Sequence, residues 1–146
     1  MRKAVLYPIG PILLALGAAL AAEAPPAYKV VVNAANPKAA ADRTDVADIF
    51  LRKATRWPDG SFIAPVDQSI ASSARQSFSS HVLRQSISTV QEYWRQQIFA
   101  GREVPPAVKV GDQDVIAFVQ ANPGAIGYVS ADAKLPEGVK VLKVVP

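Results

Sequence analysis

The sequence predicts an α/β domain in which a few helices cover a small mixed sheet, and three observations point to it. The run Tyr28-Lys29-Val30-Val31-Val32-Asn33 is β-branched and almost continuously apolar, as a strand buried on both faces of a sheet must be. Further extended runs alternate with segments of helical period in no simple order, which gives about four helices and four or five strands. Twelve prolines and eight glycines punctuate a chain that is 50% hydrophobic and 146 residues long, enough for one core and too short for two comfortable ones.

The elements follow in order. After the strand at 28–33 and a loop at 34–41, Asp42 is placed to cap a helix, with Asp45 adding an anion near its positive end. Val46, Ile49 and Phe50 recur at helical spacing, and Trp57-Pro58-Asp59-Gly60 is a strong turn signal. A second strand is expected at 61–66, then a polar loop at 67–73 that opens a helix carrying Arg75, Phe78, Val82 and Leu83. Ser86 caps the next helix, whose stripe is Val90, Tyr93, Trp94 and Ile98 and which Gly101 stops. Beyond Pro105-Pro106 come a short extended piece at 107–110, a helix capped by Asp112 with Val115, Ile116, Phe118 and Val119, and its end at Asn122-Pro123-Gly124. Strands at 125–129 and 139–144 complete the domain, the second alternating lysine with valine as an edge strand does. Phe50, Trp94, Phe118 and Ile126 are expected in one core.

The N-terminus reads as a cleavable signal peptide at 1–21, because Arg2 and Lys3 precede an uncharged apolar run that ends in Ala19-Leu20-Ala21. A leader at 22–27 and the domain at 28–146 follow. The rival reading is a membrane anchor, against which Pro8 and Pro11 interrupt the run. On this reading the mature chain is periplasmic or secreted and carries no membrane segment. Its balance becomes fourteen basic against twelve acidic residues, a net of +2. Acids interleave with the bases, as in Asp42-Arg43-Thr44-Asp45, so no nucleic-acid surface is expected. Cysteine is absent and histidine occurs once, which excludes thiolate catalysis and disulfides and leaves little for a metal site. With one histidine and no Gly-x-Ser-x-Gly elbow, no catalytic residue, metal ligand or cofactor is assigned.

Three segments carry a resemblance: Val30-Val31-Val32-Asn33 with Asn36-Pro37, Asp48-Ile49-Phe50 with Trp57-Pro58-Asp59-Gly60, and Pro123-Gly124-Ala125-Ile126-Gly127-Tyr128-Val129. In order and spacing they resemble the phosphate ABC transporter substrate-binding protein family. Ser72, Arg75 and Phe78, then Tyr93-Trp94 and Phe99-Ala100-Gly101, are similar to a group of small single-lobe relatives. The resemblance implies one lobe of a type 2 periplasmic-binding-protein-like fold and an extracytoplasmic domain that binds phosphate or another small oxyanion. It places the anion at the loop of Asp67, Ser72, Ser73 and Arg75. This chain has no glycine there, where the family has Ser-Gly-Thr. From the residues alone, Ser72 and Ser73 are either anion donors or helix caps. Arg75 either faces the anion or pairs with Asp67. The alternative function is a ligand-free interaction module of the cell envelope, meeting a protein partner or a second copy of itself.

Overall fold

The computed structural model describes residues 25–146 together with Ala4. The proposed signal segment and cleavage site therefore lie, but for Ala4, outside the described residues. The elements are β1 (Tyr28–Asn33), β2 (Ala40–Asp42), α1 (Arg43–Phe50), β3 (Ala64–Gln68) and α2 (Ser73–Phe78), which runs straight into a π-helical turn, Ser79–Leu83. Then come α3 (Ile87–Phe99), β4 (Ala107–Lys109), α4 (Asp112–Ala121), β5 (Ala125–Ser130), β6 (Val139–Val141) and β7 (Lys143–Val145).

Five strands form one mixed sheet in the order β4-β3-β5-β1-β6, and β2 pairs with β7 in a separate two-stranded ribbon. β3 is parallel to β4 and β5, whereas β1 is antiparallel to β5 and β6. Both faces of the sheet are covered. On one, Val30, Val32, Ile126 and Tyr128 pack with Phe50 of α1, Phe78 of α2 and Trp94 of α3. On the other, Val31, Val66, Ala125 and Val129 pack with Val115, Ile116 and Val119 of α4. The strict alternation along β1 and β5 explains why their sequences read as unbroken apolar runs.

The turn at 57–60 closes through the Gly60 amide on the Trp57 carbonyl at 2.8 Å, with Gly60 at φ +88°. The Trp57 indole then donates to the Gly124 carbonyl at 3.0 Å, so two of the three recognisable sequence segments are in contact.

Several expectations are corrected. The β3 strand runs from Ala64 to Gln68, so Asp67 lies in the sheet and not in the loop. The extended run at 139–144 is two strands with different partners, because Leu142 turns into the core between them. Residues 40–42, in and beside the expected loop, form β2; two alanines and an aspartate carry no strand pattern. Asp42 stands at the N-cap of α1 without a side-chain cap bond, and α4 is preceded by Gly111, with Asp112 already in its first turn. Phe118 packs half-buried on the α4 face, apart from Phe50, Trp94 and Ile126. Ile98 is exposed at the far end of the α3 stripe. Ser86 does cap α3, accepting from the Thr89 amide at 3.2 Å.

Gly127 faces α4, which leaves no room for a side chain: a Cβ there would meet Val66 Cγ1 at 2.7 Å and Val115 Cγ1 at 2.8 Å. Gly127→Ala should therefore cost about 1–3 kcal/mol in urea unfolding, and a loss below about 0.5 kcal/mol would show that α4 does not press on β5 as described.

Candidate functional site

β3, β4 and β5 are mutually parallel, so their carboxyl ends lie along one edge, the region where ligands meet open α/β sheets. A buried polar network is built there. Asp67, near the end of β3, points to the face covered by α2 and forms an ion pair with Arg75, Oδ2 to Nη1 at 2.6 Å. Arg75 also donates to the Gln68 carbonyl at 3.0 Å. Asp67 Oδ1 accepts from the Gln68 amide at 2.9 Å and from the Tyr128 hydroxyl. Both charged side chains are nearly inaccessible, at 10% and 6%.

Gln68 faces the opposite way, and its amide is fully used. Nε2 donates to Asp112 Oδ1 and to the Tyr128 carbonyl, each at 2.9 Å, and Oε1 accepts from the Ser72 hydroxyl at 2.7 Å. Asp112 also accepts from the Ser130 amide at 3.0 Å, so the ends of β3 and β5 are tied to the start of α4. Beneath the pair, the Tyr128 ring stacks on Phe78 with centroids 4.1 Å apart and planes 8° from parallel. Phe50 closes the cluster, 4.6 Å from Phe78.

Electrostatics follow from this burial. Desolvation pushes the Asp67 carboxyl above the ordinary carboxylate range, with Arg75, Tyr128 and the Gln68 amide pulling the other way. The Tyr128 hydroxyl, desolvated and set against Asp67, is raised far above its usual value and remains a donor. Burial alone would raise Asp112 as well, but hydrogen bonds from Gln68 and Ser130 hold it below its usual range.

A cleft of about 440 Å³ opens over the network. Asp67, Gln68 and Arg75 border it, with Gln91, Trp94, Arg95 and Ile98 of α3 on one side and Ile70, Pro105, Pro106 and Val108 on the other. The sequence-derived residues thus divide. Asp67 and Arg75 are brought together at the cleft, in the pairing that the sequence left open. Ser72 is turned inward: it caps α2 by accepting from the Arg75 amide at 3.3 Å and donates to Gln68. Ser73, the first residue of α2, is exposed and does not border the cleft. Arg75 Nε is buried with no partner. No group of three metal-ligating side chains occurs among the described residues.

Sequence reasoning missed Gln68, Asp112 and Tyr128 as parts of this network. Tyr128 did carry a signal, a lone hydroxyl in an otherwise apolar strand that needs a buried partner. Gln68 and Asp112 are 44 positions apart and show no local pattern.

Removing the cation should leave a buried, unpaired carboxylate. Arg75→Gln is expected to lose about 3–5 kcal/mol at pH 7. In that variant the folded-state pKa of Asp67 rises still further above its unfolded value. Its stability relative to the parent should then be best at acid pH, where Asp67 is protonated in both proteins, and fall as pH rises through the raised pKa. Urea melts across pH check this, and a deficit independent of pH would contradict the assignment.

Among the described residues, no helix is long and apolar enough to cross a membrane. No curated protein matches the sequence. Among solved structures, the fold is similar to a Clostridium perfringens protein named as a phosphate ABC transporter substrate-binding protein with bound phosphate. The TM-score is 0.65 and the identity 22%, over 81% of this chain and 44% of that one. It is similar also to an ABC-type phosphate transport receptor from Vibrio cholerae, with a TM-score of 0.63 and 23% identity over 81% and 46%. PstS from Borrelia burgdorferi has a TM-score of 0.63 and 18% identity over 81% and 47%. The chain spans less than half the length of each of these structures. The family model for the PBP superfamily domain matches residues 27–144, and the chain belongs to that family.

Proposed function

We propose that this chain is an extracytoplasmic oxyanion-binding domain of the phosphate-binding type, which holds a protonated oxyanion over Asp67 and Arg75. The observation that carries the reading is a guanidinium–carboxylate pair bordering an open cleft at the carboxyl ends of three parallel strands. Arg75 supplies a fixed donor fork, and its Nε has no protein partner. Asp67 Oδ2 is engaged by Arg75, and a carboxylate oxygen has room for a second donor. Donor and acceptor side by side suit an oxyanion that carries a proton of its own. Sulfate has none at neutral pH and would set a lone pair against the carboxylate. Ser73 stands outside the cleft and takes no part in this reading, while Ser72 holds the loop in shape. This is a binding role with no assigned catalytic step. The likeness to solved phosphate-binding structures supports the same reading through the fold.

A second reading is favoured by one specific feature. Phe99 and Val110 are 96% and 82% exposed, and Ile98, Val104 and Val108 are more than half exposed, all between the end of α3 and the residue after β4. So much uncovered apolar surface suits a domain that docks on a protein partner or on a second copy of itself.

Titration with phosphate and sulfate, followed by backbone amide shifts, separates the two readings. The oxyanion reading expects saturable shifts at residues 67–75 with a Kd for phosphate on the order of 0.1 mM to several mM. Sulfate should bind at least about tenfold more weakly, and Arg75→Lys, which keeps the charge but loses the fork, should weaken phosphate. No saturable change at tens of millimolar, a range of about −2 to −3 kcal/mol, would leave the interaction module as the better account.

A further inference from the structure

A second and larger cleft, of about 1200 Å³, lies away from the Asp67 site and shares no bordering residue with it. It runs between the π-helical turn with the start of α3 on one side and β1, β6 and β7 on the other. Three features set it apart from ordinary surface.

The first is charge. Arg43, Arg84 and Lys143 border the cleft, and no Asp or Glu side chain does among the described residues. None of these three pairs with a carboxylate among the described residues. Lys29 also borders it, but its ammonium group is committed to the Ala133 carbonyl, and Arg43 spends part of its guanidinium on the Val82 carbonyl, Nη1 to O at 3.1 Å.

The second is unsatisfied polarity. Ser79 is only 1% exposed and its hydroxyl has no partner. Arg43 Nε and Gln85 Oε1 are likewise buried without partners. All three residues border this one cleft. Buried polar atoms are rarely left unpaired, and three orphans around one opening point to a polar occupant.

The third is backbone form. A π-helical turn is uncommon and tends to occur at functional sites. It ends on Arg84 at φ +51°, a left-handed conformation that few residues other than glycine adopt. The start of the 13-residue helix α3 faces the same opening through Ser86 and Ile87, adding the positive end of a helix. Tyr28, Val30, Leu142 and Val144 supply an apolar floor.

From these we infer a second binding site, for an organic phosphate: an anionic head among Arg43, Arg84 and Lys143, with an apolar stem over Tyr28 and Leu142. The volume is far more than a bare oxyanion needs and exceeds that of most small-molecule sites. A free phosphate monoester and a phospholipid headgroup share this chemistry, and the test tells them apart.

The experiment titrates the protein with hexyl phosphate, with inorganic phosphate, and with phosphatidylglycerol vesicles against phosphatidylcholine vesicles. Amide shifts and vesicle co-sedimentation are the readouts. Saturable hexyl phosphate shifts at residues 79–87 and 142–144, with inorganic phosphate much weaker there, support a soluble ester. Retention on phosphatidylglycerol vesicles alone supports a headgroup. In either case Arg84→Asn with Lys143→Gln should weaken binding about tenfold or more, as loss of two charge-assisted contacts implies. Both side chains are exposed, and asparagine tolerates the left-handed backbone, so the variant should fold. No saturable response to hexyl phosphate or to anionic vesicles, or a response unchanged in this variant, overturns the proposal.

Discussion

The buried pair of Asp67 and Arg75 is the constraint on which the arrangement around it depends. A carboxylate and a guanidinium removed from water are tolerable only when their remaining lone pairs and protons are met. That requirement fixes the neighbours. Tyr128 must direct its hydroxyl at Asp67 from the adjacent strand, and the first turn of α2 must lie across the end of β3 so that Arg75 reaches back to the Gln68 carbonyl. Gln68, pinned by its main chain, then sends its side chain to Ser72 on one side and Asp112 on the other. A single ion pair thus positions the strand end, the loop and the starts of two helices.

The same pair keeps this edge of the sheet rigid and, on the proposed reading, open to a ligand. Its charge is internally balanced, so an empty cleft stores no large unpaired charge. On the proposed oxyanion reading, the Nε of Arg75, which has no partner, and the remaining lone pair of Asp67 Oδ2 are the donor and acceptor that a ligand would meet. The cleft is bordered on one side by α3, which contributes Trp94 to the core yet leaves Ile98 and Phe99 exposed. On the proposed reading, an open site of this kind would hold a small anion weakly, and the uncovered apolar surface beside it is where a second protein surface would close it.

Much of the fold was legible because its physics is local. The double-faced burial of β1 and β5 leaves unbroken apolar runs, and the turn at Trp57-Pro58-Asp59-Gly60 and the Ser86 cap announce themselves within four residues. The errors fall where the deciding contacts are distant. Nothing near Asp67 says that β3 continues through it, since its partners Tyr128 and Arg75 lie 61 and 8 positions away. Leu142 divides one lysine–valine alternation into two strands only because β1 and β2 draw them apart. Asp112 looked like a helix cap by its residue type, and tertiary partners claimed its carboxylate instead. Of the candidate site, residue types and order gave Asp67 and Arg75, while Ser72 and Ser73 are separated by a single step around the helix start, one turned in and the other out.

The most direct test of this account is a double-mutant cycle between Asp67→Asn and Arg75→Gln, read by urea unfolding at pH 7. If the pair organises the edge, each single change should be strongly destabilising and the double variant should recover much of the loss, giving a coupling energy of about 1.5–3 kcal/mol. Effects that simply add to within about 0.5 kcal/mol would mean that the two charges are held independently, and the claim that their pairing sets the site would fail.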